Sequence, residues 1–159
     1  MKEGVLAIVL QKESGQVLLV KRRDAGVWAL PGGGLDDFEP PADAVIREVK
    51  EEAHIDCYVV RVGAYFYPVN RLAAATSIYV CETTDVNPST SEETSAAEFF
   101  SLQALPKSLF YLHQQWIAEV LQSETPIRRP LKEVNYLAVL HYALLHPIAL
   151  MRFLYTRRD

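Results

Sequence analysis

The chain has 159 residues, the size of one compact domain with a substantial core. Half of its residues are hydrophobic and 23% are charged, a balance that excludes wholesale disorder. A net charge of −4 excludes nucleic-acid binding that depends on bulk positive charge, so we expect no stable nucleic-acid partner. The two cysteines, Cys57 and Cys81, are too few for a disulfide framework or a zinc site, and we expect both to be reduced.

The amino-terminal part of the chain predicts short strands. Residues 4–10 and 17–20 are apolar runs rich in β-branched residues, and the polar residues 11–16 between them are typical of a hairpin turn. Residues 27–30 predict a further short strand, which Pro31 ends. The first apolar run lacks the charged start and the small-residue cleavage site of a secretory signal. We therefore expect the protein to be cytoplasmic.

A glycine run and a helix follow. Gly32–Gly34 predicts a loop, because consecutive glycines favour neither a helix nor a strand. Residues 40–53 predict a helix, since Pro40 and Pro41 suit a first helical turn. Apolar residues recur through this segment at helical spacing and predict its buried stripe: Ala42, Val45, Ile46, Val49 and Ala53.

The next segments complete a mixed sheet with helices on its faces. The predicted elements are strands over 57–67 and 72–81, a surface loop over 85–95, a short strand over 97–102 and a helix over 107–122. Strands that flank helices in this order indicate an α/β fold. We assign this domain to residues 1–125.

Residues 126–159 predict a C-terminal helical extension. No residue from 134 to 151 carries a formal charge, and the stretch is about long enough to cross a bilayer. Its Asn, Tyr, His and Pro residues are poor choices for a lipid-exposed span. We therefore predict that the extension packs on the domain or in a homodimer interface, with membrane association as the alternative.

Three glutamates are the main candidates for a metal-binding or catalytic role. Glu48, Glu51 and Glu52 lie at positions i, i+3 and i+4, so they share one helical face near the negative end of the helix dipole. Arg47 alone cannot neutralise three carboxylates. A hard divalent cation such as Mg²⁺, with Mn²⁺ as a substitute, would complete the cluster. The alternative is a solvated acidic helix face, but the nearby glycines favour a metal site because they let backbone approach a metal or a phosphate.

This pattern resembles the signature of the Nudix hydrolases, G-x5-E-x7-R-E-U-x-E-E-x-G-U, where U is aliphatic. In register from Gly33 to Ile55, the chain supplies Gly33, Glu39, Arg47, Glu48, Val49, Glu51, Glu52 and Ile55. Two positions depart from it: His54 replaces the late glycine, and Phe38 replaces a glycine common before the first glutamate. His54 would end the helix in the left-handed region that glycine adopts freely. Phe38 would change the shape of the loop.

The resemblance implies an α/β/α sandwich and Mg²⁺-dependent hydrolysis of a phosphoanhydride in a nucleoside diphosphate linked to another group. The implied metal ligands are Glu48, Glu51, Glu52 and the Gly33 carbonyl. Glu52, or else Glu51, would serve as general base. Arg47 would hold a glutamate in position, and Glu39 would brace the loop.

Substrate contacts are less specific in the sequence. Arg22 and Arg23 could meet phosphates, and Tyr65 and Tyr67 could stack on a base. Three later acids, Glu92, Glu93 and Glu98, are candidates for a base or an extra ligand, although a solvated surface loop is the favoured interpretation of that region.

The expected substrate is a nucleotide-type small molecule. A nucleoside diphosphate sugar, ADP-ribose and a (d)NTP, including oxidised ones, all stay open. The competing hypothesis is a catalytically weak Nudix-fold nucleotide sensor or interaction module.

Overall fold

The computed structural model of the protein describes residues 3–71 and 73–134. Its elements in chain order are β1 (Glu3–Gln11), β2 (Val17–Arg22), β3 (Trp28–Ala29), β4 (Gly32–Gly34), α1 (Pro41–Ala53), β5 (Tyr58–Pro68), β6 (Ala75–Thr83), β7 (Thr94–Phe100), α2 (Tyr111–Gln122) and β8 (Ile127–Leu131). The predicted hairpin is confirmed, because β1 and β2 are antiparallel with Leu10 opposite Val17.

The strands of the described residues form one mixed sheet. β6 runs parallel to β1 along one edge, while β2 and β4 share the other edge of β1. β5 pairs with β6, and β8 pairs with β5 in parallel. On the far side, β2 pairs with both β3 and β7. The sheet therefore places the glycine strand β4 directly beside β1.

The two helices cover opposite faces of this sheet. Because side chains alternate along a strand, Ala7 belongs to the core beneath α1, whereas Ile8 belongs to the core beneath α2. The core beneath α2 contains the larger rings, among them Phe66 and Trp116, whose centroids are 5.1 Å apart. The predicted α/β/α sandwich is confirmed. The buried stripe of α1 is confirmed at Val45, Val49 and Ala53, whereas Ala42 and Ile46 are only partly buried against the same core.

The prediction of a loop at Gly32–Gly34 was wrong. These residues form β4, antiparallel to β1, with Gly33 opposite Val5. A Cβ at Gly32 would collide with the Val5 carbonyl oxygen, and Gly32 has a φ of 151°. Gly32 therefore lets this strand lie closer to β1 than a side chain at that position would permit.

The predicted boundary of the C-terminal extension also needs correction. Residues 127–131, which we assigned to a helix, form strand β8 of the domain's sheet. Arg128, Arg129 and Pro130 obscure a strand pattern in the sequence, but proline is tolerated on an edge strand. The remainder of the predicted extension, 135–159, lies outside the described residues, so its packing, dimerisation and membrane contacts stay predictions. No helix within 3–71 and 73–134 has the length and apolarity needed to cross a membrane.

Smaller boundary differences have local causes. β6 runs over 75–83 rather than 72–81, and β7 begins at Thr94, inside the predicted surface loop. α2 begins at Tyr111 rather than at residue 107. The preceding residues form a turn, in which the Leu109 N–H donates to the Pro106 carbonyl at 2.9 Å, and they bridge to Trp28, whose N–H donates to the Ser108 carbonyl at 3.1 Å.

Candidate functional site

The carboxyl-terminal half of α1 carries the three acids at different depths. Glu52 is 5% exposed and the Glu48 side chain is 13% exposed, whereas the Glu51 side chain is 59% exposed. Glu48 and Glu52 are one helical turn apart, on the side that faces the sheet. They form an inner pair, and Glu51 lies at the rim.

The glycine strand β4 contacts both inner carboxylates. The Gly32 N–H donates to Glu52 Oε2 at 2.9 Å. A Cβ on Gly33 would lie 2.5 Å from Glu48 Oε1, so only glycine leaves room for that carboxylate. The expectation that the acids lie beside the glycines is confirmed.

Arg47 connects the residues at the rim of the site, because all five of its N–H groups donate hydrogen bonds to them. Its Nε and Nη2 hold the two oxygens of Glu39, each at 2.8 Å, in a bidentate pair. Nη1 donates to Glu48 at 3.0 Å and to Glu51 at 3.1 Å, and Nη2 also donates to the Gly34 carbonyl at 3.0 Å. This guanidinium, assisted by a backbone N–H, lowers the pKa of Glu39 to about 2. The same carboxylates raise the pKa of Arg47.

A loop over residues 89–94, which we call the capping loop, forms the opposite wall. The Ser89 N–H donates to the Ala53 carbonyl at 2.9 Å, and the Thr94 hydroxyl donates to the Glu52 carbonyl at 2.9 Å. The last carbonyls of a helix have no partner within the helix, so the capping loop supplies what the end of α1 lacks. These bonds hold the loop against the acids.

An open cavity of about 830 Å³ lies between α1 and the capping loop, a volume typical of small-molecule sites. Its lining residues are Arg23, Glu48, Glu51, Glu52, His54, Thr90, Ser91, Glu92 and Glu93. Most of the charged groups among them are carboxylates. The cavity is therefore strongly negative and suited to a cation that carries an anionic ligand.

Burial makes the Glu52 carboxylate costly to ionise. Its pKa is raised to about 7, chiefly by burial, and the negative charges of Glu48 and Glu93 add to this, while a backbone N–H and Arg22 oppose it. Burial also raises the pKa of Glu48. Positive charge in the cavity would relieve both costs.

The donor set fits a hard divalent cation, because carboxylate and carbonyl oxygens are the ligands that such ions prefer. The absence of a side chain at Gly33 leaves the carboxylate of Glu48 against open backbone. Within the described ranges, no three His, Cys, Asp or Glu side chains already converge as a metal site. The reason is that Arg47 binds one oxygen of Glu48 and one of Glu51, while Glu52 turns towards Gly32.

The predicted substrate contacts fall in different places. Arg23 lines the cavity, and its Nη2 donates to the Ser91 carbonyl at 3.3 Å. Arg22 is held in a salt bridge by Asp24 at 2.8 Å. Tyr65 and Tyr67 lie on β5 and do not belong to the lining of this cavity.

The capping loop is the part of the site that the favoured sequence interpretation missed. Glu92 and Glu93 line the cavity instead of facing bulk solvent alone, whereas Glu98 lies in β7 at a separate depression. The bond from the Arg23 N–H to the Glu93 carbonyl, at 3.0 Å, brings the loop to the end of β2. No local pattern signals this contact, because it depends on the pairing of β7 with β2.

Phe38 and His54 occupy positions where the signature has glycine. Among the described residues, they are also the two non-glycine residues with positive φ. His54 has a φ of 55° and ends α1, with its N–H bound to the Lys50 carbonyl at 3.0 Å. Phe38 has a φ of 65°, and its side chain is fully exposed. The expected left-handed cap at His54 is confirmed. The left-handed backbone explains why glycine suits both positions.

Comparisons with known proteins agree with this architecture. The family model described as "NUDIX domain" matches residues 1–123. The chain belongs to the Nudix family. The resemblance predicted from the glutamate pattern is thereby confirmed, and the Nudix match ends before β8.

Individual Nudix relatives have different names. A "Putative 8-oxo-dGTP diphosphatase" of Bacillus subtilis (strain 168) is 42% identical over 42% of this chain and 44% of its own. An "RNA pyrophosphohydrolase" of Pseudomonas paraeruginosa (strain DSM 24068 / PA7) is 39% identical over 37% of each chain. The chain thus matches less than half of the length of these curated relatives. The solved structure of an ADP-ribose pyrophosphatase from Streptococcus suis 89-1591 has a TM-score of 0.64 and 30% identity, covering 81% of this chain and 98% of its own.

Proposed function

We propose that this Nudix protein hydrolyses a phosphoanhydride bond of a nucleotide compound with the help of a divalent cation. The observation that carries the proposal is the inner pair, Glu48 and Glu52. Glu52 is buried and Glu48 is partly buried beside the glycine strand, and both line the same negative cavity. A solvated acidic helix face would not bury two carboxylates together, because burial of like charges is unfavourable unless something offsets it.

The proposed metal ligands are Glu48, Glu51, Glu52 and the Gly33 carbonyl, with Mg²⁺ as the cation and Mn²⁺ as a substitute. When bound, such a cation neutralises charge on phosphate oxygens and lowers the pKa of a bound water. Glu48 and Glu51 each give only one oxygen to Arg47, so each has a second carboxylate oxygen for this purpose.

Glu52 is our first choice for general base, and Glu51 is the second. Glu52 is held in one orientation by the Gly32 N–H and is shielded from bulk solvent, two conditions that favour directed proton transfer. The exposed Glu51 lacks that shielding. Glu93 is a further candidate, because it faces these acids from the capping loop.

Arg47 and Glu39 are proposed to act as positioning residues. Arg47 binds Glu48 and Glu51 directly through Nη1, while Glu39 holds the opposite edge of the guanidinium through Nε and Nη2. Partners that orient metal ligands in this way typically change metal affinity or activity 10- to 100-fold, roughly, when they are removed. Neither residue needs to touch the substrate.

The substrate class follows from the cavity and the names of the relatives. Those names describe cleavage of a diphosphate or pyrophosphate linkage in three different nucleotide compounds, so we propose the linkage and leave the nucleoside and its attached group open. Arg23 lines the cavity and is placed to meet a phosphate, whereas base stacking by Tyr65 or Tyr67 would require a ligand that extends beyond the cavity. Cytoplasmic residence, a homodimer and the lack of a nucleic-acid partner stay predictions.

A substrate panel tests the proposal. The full chain is incubated with dGTP, 8-oxo-dGTP, ADP-ribose and a UDP-sugar, with and without Mg²⁺, and the products are separated chromatographically. We expect metal-dependent release of phosphate or nucleoside monophosphate from at least one compound. Glu52→Gln should lower kcat by about 100-fold or more.

Glu98→Gln is the matched control, because it removes an exposed carboxylate outside the cavity. It should retain wild-type turnover. Turnover that survives in Glu52→Gln would contradict the proposal. Saturable nucleotide binding without product from any compound would favour the nucleotide sensor instead.

A further inference from the structure

The two cysteines lie together on the face of the sheet that α1 covers. Tyr58 pairs with Glu82 and Val59 pairs with Cys81, so Cys57, one residue before β5, is diagonal to Cys81 on the same face. Cys81 belongs to the core beneath α1, and Cys57 packs against that core. Two separate segments therefore bring the two cysteines to neighbouring positions on one face of the sheet.

The two sulfurs have unequal environments. Cys57 is partly exposed, while Cys81 is buried, and both are free thiols. Interaction with the neighbouring Cys81 thiol lowers the pKa of the Cys57 thiol, although burial and the carboxylates of Asp56 and Asp85 oppose this. The same contact and burial raise the pKa of Cys81. Cys57 is consequently the accessible sulfur and Cys81 the enclosed one, the arrangement of an attacking and a resolving thiol.

We propose that Cys57 and Cys81 form a peroxide-sensitive dithiol, a modification site separate from the carboxylate cavity. The Cys57 thiolate attacks one oxygen of a hydroperoxide, so an S–O bond forms, the O–O bond breaks, and the leaving alkoxide or hydroxide takes a proton. Cys81 then attacks the sulfenic sulfur of Cys57. An S–S bond forms, the S–O bond breaks, and the departing hydroxide leaves as water with the Cys81 proton. Two thiols and one hydroperoxide thus become a disulfide, an alcohol or water, and one water.

The backbone around Cys57 permits the closure. A disulfide needs Cα atoms roughly 4.4–6.8 Å apart, whereas diagonal strand neighbours lie roughly 7–8 Å apart, so closure requires Cys57 to move towards β6. Cys57 precedes the first residue of β5, so its backbone is not fixed by a strand pairing of its own. The neighbouring linker already contacts β6, because the Thr83 hydroxyl donates to the Asp56 carbonyl at 2.6 Å. The new bond would fasten the linker between α1 and β5 to β6.

Intact-mass and peptide-mapping spectrometry test the proposal on the full chain. Reduced protein is treated with hydrogen peroxide and then denatured with an alkylating agent. We expect the wild type to lose the mass of two hydrogen atoms, to resist alkylation at both cysteines and to yield one linked peptide pair, all reversed by dithiothreitol. The oxidised protein should unfold at a temperature several degrees higher, since a cross-link constrains the unfolded chain.

Two variants separate the roles of the sulfurs. Cys81→Ala should stop at a sulfenic acid on Cys57 that dimedone traps, and Cys57→Ser should leave Cys81 reduced at the same peroxide dose. Circular dichroism before oxidation checks that each variant is folded, and the wild-type peptide map decides the matter if one is not. Direct accumulation of sulfinic acid on Cys57 in the wild type, or a disulfide only between two chains, would overturn the proposal.

Discussion

The backbone N–H groups of Leu30 and Gly32 are bound from opposite faces of the sheet, by a histidine on one face and a glutamate on the other. On the α2 side, His113 Nδ1 accepts a hydrogen bond from the Leu30 N–H at 2.9 Å. On the α1 side, Glu52 accepts one from the Gly32 N–H, also at 2.9 Å. Both acceptors are ionisable side chains that are largely withdrawn from solvent, Glu52 buried and His113 partly buried. The segment that leads into the glycine strand is therefore fixed from both faces.

The two buried groups respond to burial in opposite ways. Burial lowers the pKa of His113 to about 3, so it is neutral at ordinary pH, and its ring stacks on Trp116 with centroids 5.4 Å apart. Glu52 is buried among other carboxylates, and its pKa is raised to about 7. The histidine is satisfied by the protein alone, whereas the glutamate needs a charge that the protein does not supply. That difference distinguishes a structural buried group from a functional one.

Acid should destabilise the protein through His113, on the α2 side of the sheet. The folded pKa of His113, about 3, is below its ordinary value of 6.5, so the unfolded chain binds the extra proton between these values. The free energy of unfolding should therefore fall as the pH falls from about 6.5, by up to roughly 5 kcal/mol near pH 3. Urea unfolding of His113→Gln should lack this slope. His54→Gln, at an exposed histidine, is the control and should keep it.

Arg47→Ala tests whether the acidic face depends on its single organising cation. The variant leaves Glu39 and Glu48 without their ion pair, which we expect to lower the free energy of unfolding and to reduce hydrolysis by about 10- to 100-fold. Lys50→Ala on the same helix removes only an exposed pair with Asp56 and should cost less than about 1 kcal/mol. Equal losses in the two variants would contradict the role assigned to Arg47.

Glu52, on the α1 side of the sheet, should make the free energy of unfolding depend on pH in the direction opposite to His113. Because the folded pKa of Glu52, about 7, exceeds the ordinary value of 4.5, the folded protein binds the proton more tightly between these values. In chelator-treated protein, the free energy of unfolding should fall as the pH rises from about 4.5 to 7, by up to roughly 3 kcal/mol. Glu52→Gln should remove this slope, and added Mg²⁺ should reduce it in the wild type. His113 and Glu52 change the free energy of unfolding in opposite directions over overlapping pH ranges. The single variants are therefore needed to separate the two contributions.

The smallest expected effects concern the two left-handed residues. His54→Gly and Phe38→Gly should each raise the free energy of unfolding by about 0.5–1 kcal/mol, because relief of left-handed strain outweighs the added entropy of the unfolded chain. Asp37→Gly is the control next to Phe38, since the φ of Asp37 is not positive. Stabilisation by Asp37→Gly equal to that by Phe38→Gly would show that the backbone strain is not the cause.

Local patterns made the α1 side of the site predictable. The signature lies within about two dozen residues: the glycines, the glutamates one helical turn apart and the residue that ends the helix. Glu48, Glu52 and Gly33 could therefore be placed together from the sequence. The position of the capping loop could not be predicted, because Glu93 reaches the cavity only through the pairing of β7 with β2. Strands β4 and β8 were missed for a related reason. Glycines, arginines and a proline carry no strand signal, and pairing with β1 and β5 determines their structure.

A titration with Mn²⁺ tests whether the acids beside the glycine strand bind a divalent cation. Free Mn²⁺ is followed by electron paramagnetic resonance in the wild type, Glu52→Gln and Glu98→Gln. We predict saturable binding in the wild type and in Glu98→Gln, weakened about tenfold or more in Glu52→Gln because a charged ligand is lost. Equal affinity in all three proteins, or no saturable binding in the wild type, would contradict the account.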